Sequence, residues 1–399
     1  MPEKRVYADY NATTPLRDEV KQTMRDSLDI FGNASSMHSS GRLARSKLEE
    51  ARRAVAALLG ASPEDIIFSS GGSESNNTVF ETVRRLAGFT GGKPLIEDRD
   101  EIIISAIEHP CVFNSAKYTK SLGCKVHIVP VDETGRLKMD AFRAALNNKT
   151  LFVSIMMANN ETGTIQDIKE ITRLAKEAGA LVHTDAVQAV GKIPVNVSDL
   201  AVDYLTISAH KIYGPKGVGA LYIRKSGTGT KTPFMPLILG GHQEEGLRAG
   251  TYNNAGIIGL GKAAELAMKD LDTYYKKTSA LRNKLKEGLT GAIPNIIVNG
   301  HAVETLPNTL NVSFPGAEGE AILLSMDIEG IEASTGSACA SGSLEPSHVL
   351  TAMGLGPELA HGSIRFSMGW QTSEDDVDYI VEKLPPIIKR LREMSTIKT

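Results

Sequence analysis

The sequence predicts an α/β fold with a mainly parallel seven-stranded sheet in a large domain and a smaller α+β domain. Two observations predict it. Through the first two thirds of the 399 residues, short β-branched runs alternate with helical segments, which is typical of a parallel sheet covered by helices. From about residue 261 the pattern changes to a long charged helix followed by fewer strands. We therefore expect a large domain at 16–262 and a small domain formed by 1–15 and 263–399.

The predicted elements follow in chain order. Seven β-branched runs are expected to be strands: 66–68, 101–106, 125–131, 151–157, 181–186, 204–209 and 219–224. Segments such as DIKEITRLAKEAG between them have helical periodicity, and the stretch 261–289 predicts one long amphipathic helix. The segment STGSACASGSLEP, at about 334–346, is rich in Ser, Gly and Ala and predicts a mobile loop. Its only chemically reactive side chain is that of Cys339.

Composition argues against several classes of protein. The 44 Lys and Arg residues nearly balance the 47 acidic residues, so the net charge of -3 gives no field for collecting nucleic acid or an anionic membrane. No stretch approaches the roughly 20 apolar residues of a membrane span, and the N-terminus lacks a signal-peptide core. Three cysteines form neither a disulfide framework nor a zinc motif. We expect a cytoplasmic protein with no metal site of its own.

Polar side chains follow the predicted strands at the points where the strands end. Because ligands bind beyond the carboxyl ends of parallel strands, these residues should meet at one edge of the sheet. A Gly-Gly turn that ends at Gly72 precedes a helix and could present backbone N–H groups to a phosphate, although such turns are more often purely structural. The remaining strand-end residues are Ser73, His109, Asn159, Asn160, Asp185, Ser208, His210 and Lys211.

Lys211 is the most informative of these residues. It closes the run YLTISAHK before a Gly-rich turn, so a bulky ring could approach the backbone beside its amine. Most lysines are solvated charges, but a buried lysine at a strand end favours an imine-forming amine. Asp185 ends the preceding predicted strand, where its carboxylate could keep a pyridine nitrogen protonated. The alternative for Asp185 is a helix N-cap.

Four further side chains could bind a cofactor or substrate, and each also has an ordinary structural interpretation. His109 could stack on a cofactor ring or be an ordinary loop histidine. Gln188, three residues after Asp185, suits a phenolic oxygen or is a surface amide. Arg365 lies in a β-like run and could bind a substrate carboxylate or pair with an internal acid. Thr251 lies in a Gly-rich segment that reads as a flexible loop.

The motifs taken together resemble the cysteine desulfurases of the iron-sulfur cluster assembly type. These are fold-type I pyridoxal-phosphate enzymes of the aminotransferase class V family. The resemblance covers nearly the whole chain, in order, through YADYNATTP, FGNASSMHSSGR, SGGSESNN, EHP, ANNETGT, HTDAVQAVGK, SAHKIYGPKGVGALY, GGHQEEGLRAGT, LPNT, STGSACASGSLEPSHVL and AHGSIRFSMG. It implies that L-cysteine becomes L-alanine while its sulfur passes to acceptors through a persulfide on Cys339. Cys339 looks like the catalytic cysteine of the subgroup with a long mobile loop.

The resemblance also assigns roles to individual residues. Lys211 would carry pyridoxal 5'-phosphate, with His109 stacked on the ring, Asp185 on the pyridine nitrogen and Gln188 on the ring oxygen. The phosphate would be held by Gly72, Ser73, Ser208 and His210, and by Thr251 of a neighbouring subunit. Asn160, Arg365 and Asn33 would bind the substrate, Asn160 also contacting the cofactor.

The resemblance further implies a homodimer and an iron-sulfur scaffold or other sulfur acceptor as partner, on which Cys339 could transiently ligate a nascent cluster. The alternatives are a selenocysteine lyase, another class V aminotransferase-like enzyme, or an inactive scaffold.

Overall fold

The computed structural model describes residues 4–96, 98–225, 232–335 and 346–395. Most of the predicted catalytic loop, including Cys339, lies outside these ranges. The strands of the described residues are β1 Val6–Tyr7, β2 Ile66–Ser69, β3 Glu101–Ser105, β4 Lys125–Val129, β5 Thr150–Ser154, β6 Leu181–Asp185, β7 Tyr204–Ser208, β8 Gly219–Ile223, β9 Ile297–Asn299, β10 Thr309–Ser313, β11 Ile331–Glu332 and β12 Ser363–Ser367.

The helices cover the sheet and build much of the second half of the chain. They are α1 Asp18–Ser27, α2 Ser39–Leu59, α3 Gly72–Leu86, α4 Pro110–Ser121, α5 Met139–Ala145, α6 Ile168–Glu177, α7 Val197–Leu200, α8 Asn254–Ala292, α9 Gly319–Ile328, α10 His348–Ala352, α11 Pro357–His361 and α12 Glu374–Met394. In the described part of the chain, no helix is both long enough and apolar enough to cross a membrane.

The large sheet has seven strands in the order β2-β8-β7-β6-β5-β3-β4. Strand β8 is antiparallel to both neighbours, and the other pairs are parallel. Each of the seven runs predicted from the sequence forms one of these strands, so the prediction of a mainly parallel sheet is confirmed. The central strands are buried on both faces, which explains why they read as continuous apolar runs.

Local sequence fixes where individual helices begin and end. The side chain of Asp167 accepts a hydrogen bond of 3.1 Å from the backbone N–H of Glu170 and caps the start of α6. Helix α2 ends at Gly60, whose φ of 66° is a left-handed conformation that glycine adopts without strain. These signals are readable in the sequence, and they set how each helix enters and leaves the sheet.

The two ends of helix α8 pack into two different groups of buried apolar side chains. The first part of α8, from Ile257 to Leu266, packs into the core that lies against the large sheet. Its later part, from Leu281 to Leu289, packs with the three-stranded sheet β12-β10-β9 and with Val6 of the N-terminal strand. The division predicted at 262/263 therefore falls inside one continuous helix, which contributes to both cores.

Candidate active site

A cavity of about 400 Å³ lies beyond the carboxyl ends of the parallel strands. Most of the residues selected from the sequence meet there: Gly72, Ser73, His109, Asn160, Asp185, Gln188, Ser208, His210, Lys211 and Arg365. The large sheet brings most of them together, since they lie at or after the ends of four of its parallel strands and of β2, whereas Arg365 comes from β12 of the three-stranded sheet. The other lining residues include Asn11, Asn76, Cys111, Glu161 and His348.

The amine of Lys211 projects from the turn that follows β7. A short 3-10 helix over Ala209–Lys211 follows the strand directly. Nζ of Lys211 donates hydrogen bonds of 2.5 Å and 2.7 Å to the backbone carbonyl oxygens of Asn11 and Ala12. The N-terminal segment thus holds the amine at the cavity wall through neutral acceptors.

The carboxylate of Asp185 is buried and accepts two hydrogen bonds. The side-chain amide of Asn76 donates to it over 2.7 Å, and the backbone N–H of Val187 donates over 3.0 Å. Asp185 therefore supports the turn after β6 and also lines the cavity. It caps none of the described helices, because the next helix begins only at Val197. The amide oxygen of Asn76 is buried and has no hydrogen-bond partner among the described residues.

His109 caps the start of helix α4. Its Nδ1 accepts a hydrogen bond of 3.2 Å from the backbone N–H of Cys111, and Sγ of Cys111 lies 3.0 Å from the same atom. Burial lowers the pKa of His109, while the carboxylate of Asp185 acts in the opposite direction. The ring is therefore neutral at pH 7, and because Nδ1 is an acceptor, the proton is on Nε2.

The N-terminus of α3 forms the wall of an adjoining cavity of about 450 Å³. Gly72, Ser73, Ser208 and His210 line both cavities. Burial and the nearby charge of Lys211 lower the pKa of His210 to about 4, so its ring is neutral. Exposed N–H groups at the start of a helix and neutral donors suit a doubly charged phosphate.

The guanidinium of Arg365 donates hydrogen bonds to two groups of the protein, a carboxylate and a backbone carbonyl oxygen. The Arg365 residue is only 1% exposed; Nη2 donates to the carboxylate of Asp9 over 2.6 Å and Nη1 to the carbonyl oxygen of Asn160 over 3.0 Å. The pairing with an internal acid is therefore present, and because Arg365 also lines the cavity, its binding of a substrate carboxylate stays a prediction.

Among the described residues, the predicted residues Thr251, Asn33 and Asn159 do not line this cavity. Thr251 lies in a separate cavity with Ser70 and Gly217, two residues that also line the cavity at the start of α3. Asn33 is exposed, and its side-chain oxygen accepts a hydrogen bond from the backbone N–H of Ser35. Cys339 is outside the described residues. The roles of Thr251, Asn33 and Cys339 stay predictions.

Sequence reasoning missed several residues of the cavity wall. Asn76 lies one helical turn after Gly72, so a search of the helix face next to the Gly-Gly turn would have found it. Glu161 follows Asn160 in the chain and accepts a hydrogen bond of 2.5 Å from the hydroxyl of Ser347. Strand ends could not reveal Asn11, because Asn11 precedes the first strand of the large sheet in the sequence.

Comparison with known proteins places the chain in a family. Residues 6–380 match the family model described as Aminotransferase class-V. The chain therefore belongs to the aminotransferase class-V family.

A cysteine desulfurase IscS of Dictyoglomus turgidum is 49% identical over 396 residues, which cover 99% of this chain and 97% of that protein. A cysteine desulfurase NifS of Azotobacter vinelandii is 44% identical over 98% of this chain and 94% of its own length. A solved structure titled as a NifS-like protein superposes with a TM-score of 0.88 at 39% identity, covering 97% and 100% of the two chains. Within its family, this chain groups with the cysteine desulfurases, a class of sulfurtransferases that depends on pyridoxal phosphate.

Proposed function

We propose that the chain uses Lys211 to bind pyridoxal phosphate and Cys339 to take the sulfur of L-cysteine. One observation supports this best: an amine, a carboxylate and a neutral imidazole, from Lys211, Asp185 and His109, line one buried cavity beside a helix N-terminus. An amine held by neutral acceptors, opposite an anion, suits a ring that carries an aldehyde at one position and a pyridinium nitrogen at another.

The chemistry of the donor set fits the cofactor at both of its ends. The start of α3 and the hydroxyls of Ser73 and Ser208 would hold the phosphate, with His210 as a neutral donor. Asp185 would hold the proton on the pyridine nitrogen, and Asn76, which donates to Asp185, would keep the carboxylate in place. Gln188 would donate to the ring oxygen, and the neutral ring of His109 would stack on the cofactor.

When bound, pyridoxal phosphate supplies an electron sink that makes the α-proton of an attached amino acid acidic. The residues of this chain do the rest. Once the amine of Lys211 has been displaced by the substrate, it is free to take up that proton at Nζ. His109 would then exchange a proton with the substrate through Nε2, because Nδ1 is occupied by the backbone N–H of Cys111.

Substrate orientation would rest on Arg365 and Asn160. Asp9 and the carbonyl oxygen of Asn160 fix the plane of the guanidinium, so the fork is oriented before the substrate binds. A planar fork of this kind suits a carboxylate better than a lysine would. Asn33 would contribute to substrate binding from outside the cavity described in this single chain.

Sulfur transfer would occur when the thiolate of Cys339 attacks the substrate sulfur. The carbon–sulfur bond would break as the sulfur–sulfur bond forms on Cys339, its electron pair would stay with the β-carbon, which takes up a proton, and alanine would leave. Burial raises the pKa of the other two thiols, those of Cys111 and Cys124, to about 12, so neither is an effective nucleophile at neutral pH. This leaves Cys339 as the reactive thiol of the sequence.

The test is to incubate the purified enzyme with L-cysteine and to measure alanine, sulfide and keto acid, with mass spectrometry of the cysteine peptides. We expect equal alanine and sulfur yields and an added sulfur on Cys339. Cys339→Ser should lose this activity, whereas the control Cys124→Ser, at a buried thiol that donates to the carbonyl oxygen of Asp100 over 3.0 Å, should keep it. A keto acid as main product would point to an aminotransferase, and added sulfur on Cys111 or Cys124 would contradict the choice of nucleophile.

The partners and location follow from the same proposal. We propose a homodimer in which Thr251 contacts the phosphate bound by the neighbouring subunit, and an iron-sulfur scaffold or other acceptor that takes sulfur from Cys339. Transfer of labelled sulfur to a co-expressed scaffold tests the second point. A cytoplasmic location is proposed from the sequence and is tested by cell fractionation.

A further inference from the structure

Lys192 is a buried lysine that the proposed chemistry does not use. It is 2% exposed, and its Nζ donates to the side-chain oxygen of Gln188 over 2.6 Å and to that of Asn11 over 3.0 Å. Lysine is rarely fully buried without a carboxylate partner, and among the described residues Lys192 forms no ion pair. Its two partners are neutral oxygen acceptors, so we expect Lys192 to act as a hydrogen-bond donor and not as a charge.

The contacts of Lys192 favour one orientation of the Gln188 amide. In either protonation state the amine of Lys192 has N–H donors for both oxygens that it contacts, so it stabilises the amide of Gln188 with its oxygen toward Nζ. On the other side, Nε2 of Gln188 donates over 2.9 Å to the carbonyl oxygen of Asn11, the oxygen that also accepts from Lys211. A rotated amide would place its oxygen against the carbonyl oxygen of Asn11, and the observed hydrogen bonds to Asn11 and from Lys192 would both be lost.

The same amide nitrogen has a hydrogen left for a ligand. Gln188 lines the large cavity, and only one of the two hydrogens of Nε2 has a partner among the described residues. Without Lys192, only the carbonyl oxygen of Asn11 would orient the amide, and that oxygen is shared with the amine of Lys211.

Lys192 does not need a charge for this purpose. Burial, with the nearby charges of Lys211 and Arg365, lowers the pKa of Lys192 well below its usual value. A neutral amine keeps two N–H donors, enough for the two oxygens that it contacts. The uncharged form also avoids placing a third positive charge beside Lys211 and Arg365.

We propose that Lys192 is a positioning residue that fixes the amide of Gln188 so that an N–H donor, not an oxygen, faces the ring oxygen of the cofactor. The inference rests on the proposed function, because it assumes that the ring oxygen lies next to Gln188. Lys192 would act only through Gln188 and would not touch the cofactor.

The experiment is a double-mutant cycle of Lys192→Met and Gln188→Leu in cofactor-loaded enzyme. The readouts are the pH titration of the visible absorbance of the bound cofactor and the affinity of the apoenzyme for pyridoxal phosphate. A donor at the ring oxygen stabilises its negative charge, so its loss should raise the apparent pKa of the absorbance by about one pH unit. We expect a similar rise in each single variant and no further rise in the double variant.

The control is Lys176→Met, which removes a partly buried lysine that pairs with Asp203; neither residue lines the cavity. It should leave the titration unchanged. A wild-type titration for Lys192→Met alongside a shifted one for Gln188→Leu would overturn the inference. Additive shifts would overturn it as well, because they would show that Lys192 acts independently of Gln188.

Two further outcomes distinguish a failure of this inference from a failure of the proposed function. If Gln188→Leu titrates like wild type in enzyme that carries cofactor on Lys211, the assignment of Gln188 is wrong and the inference falls with it. If wild-type enzyme binds no cofactor on Lys211, the proposed function itself has failed. Lys192→Leu, which lacks donors and is slightly smaller, replaces Lys192→Met if that variant does not fold.

Discussion

Replacing Asp185 by Asn tests the carboxylate at the centre of the cavity. The side chains have nearly the same shape, but the amide cannot hold a proton on a pyridine nitrogen. A hydrogen bond to a charged group contributes about 1.5–3 kcal/mol, and each 1.36 kcal/mol corresponds to a factor of ten in rate. We therefore expect kcat/KM for alanine release from L-cysteine to fall about 10- to 100-fold.

The structure also predicts a cost in folding. Asp185 accepts from the amide of Asn76 and from the backbone N–H of Val187 through different oxygens. The NH₂ group of the substituted side chain would therefore face one of these donors, unless the amide of Asn76 turns over and gives up its hydrogen bond of 3.2 Å to Sγ of Cys111. An unmatched buried donor costs about 1–3 kcal/mol, which should appear as a lower midpoint in chemical denaturation. Cofactor saturation must accordingly be measured together with the kinetics.

The matched control is Asp132→Asn, which alters an aspartate that accepts hydrogen bonds from Thr134 and Arg136 in a turn away from the cavity. It should lower stability without lowering kcat/KM. If Asp185→Asn, saturated with cofactor, stays within about twofold of wild type, the assignment of Asp185 to the pyridine nitrogen is refuted.

Three further expectations follow from the structure. Arg365→Lys should raise KM for L-cysteine about tenfold with little change in cofactor affinity, because a lysine lacks the fork that pairs with a carboxylate; an unchanged KM would contradict the proposed contact. Burial lowers the pKa of His183 to about 3, so the unfolded chain binds a proton that the folded chain does not between that pH and about 6.5. Stability should therefore fall as the pH falls, by up to about 1.4 kcal/mol per unit, and His183→Gln should reduce this slope in denaturation at several pH values. Sedimentation should show a dimer at micromolar concentration, and a monomer would contradict the proposed contact of Thr251 with a neighbouring subunit.

Sequence periodicity was sufficient to predict the large sheet, because strands buried on both faces leave continuous β-branched runs. It also predicted that Asp185, Ser208 and Lys211 would meet, since the ends of neighbouring strands are adjacent in a parallel sheet. The same reasoning gave Asn159 and Asn160 equal weight. In the structure the side chain of Asn159 instead accepts from the backbone N–H groups of Glu161 and Thr162 and shapes the turn.

What periodicity could not predict is contact between distant segments. Asn11 lies far from the sheet in sequence, yet its backbone oxygen accepts from both Lys211 and Gln188, and its side chain accepts from Lys192. The pairing of Arg365 with Asp9 likewise joins the two ends of the chain. Such contacts depend on tertiary packing, for which a single sequence gives no local signal.

The most direct test of the account is to treat the cofactor-loaded enzyme with borohydride and to map the labelled peptide. Lys192 is buried next to Gln188, whereas Lys211 is only partly buried and is the lysine that lines the cavity, so reduction should fix the cofactor on the peptide that contains Lys211. Lys211→Ala should give no labelled peptide and no alanine release. A label on Lys192 or on any other lysine of wild-type enzyme would contradict the central claim.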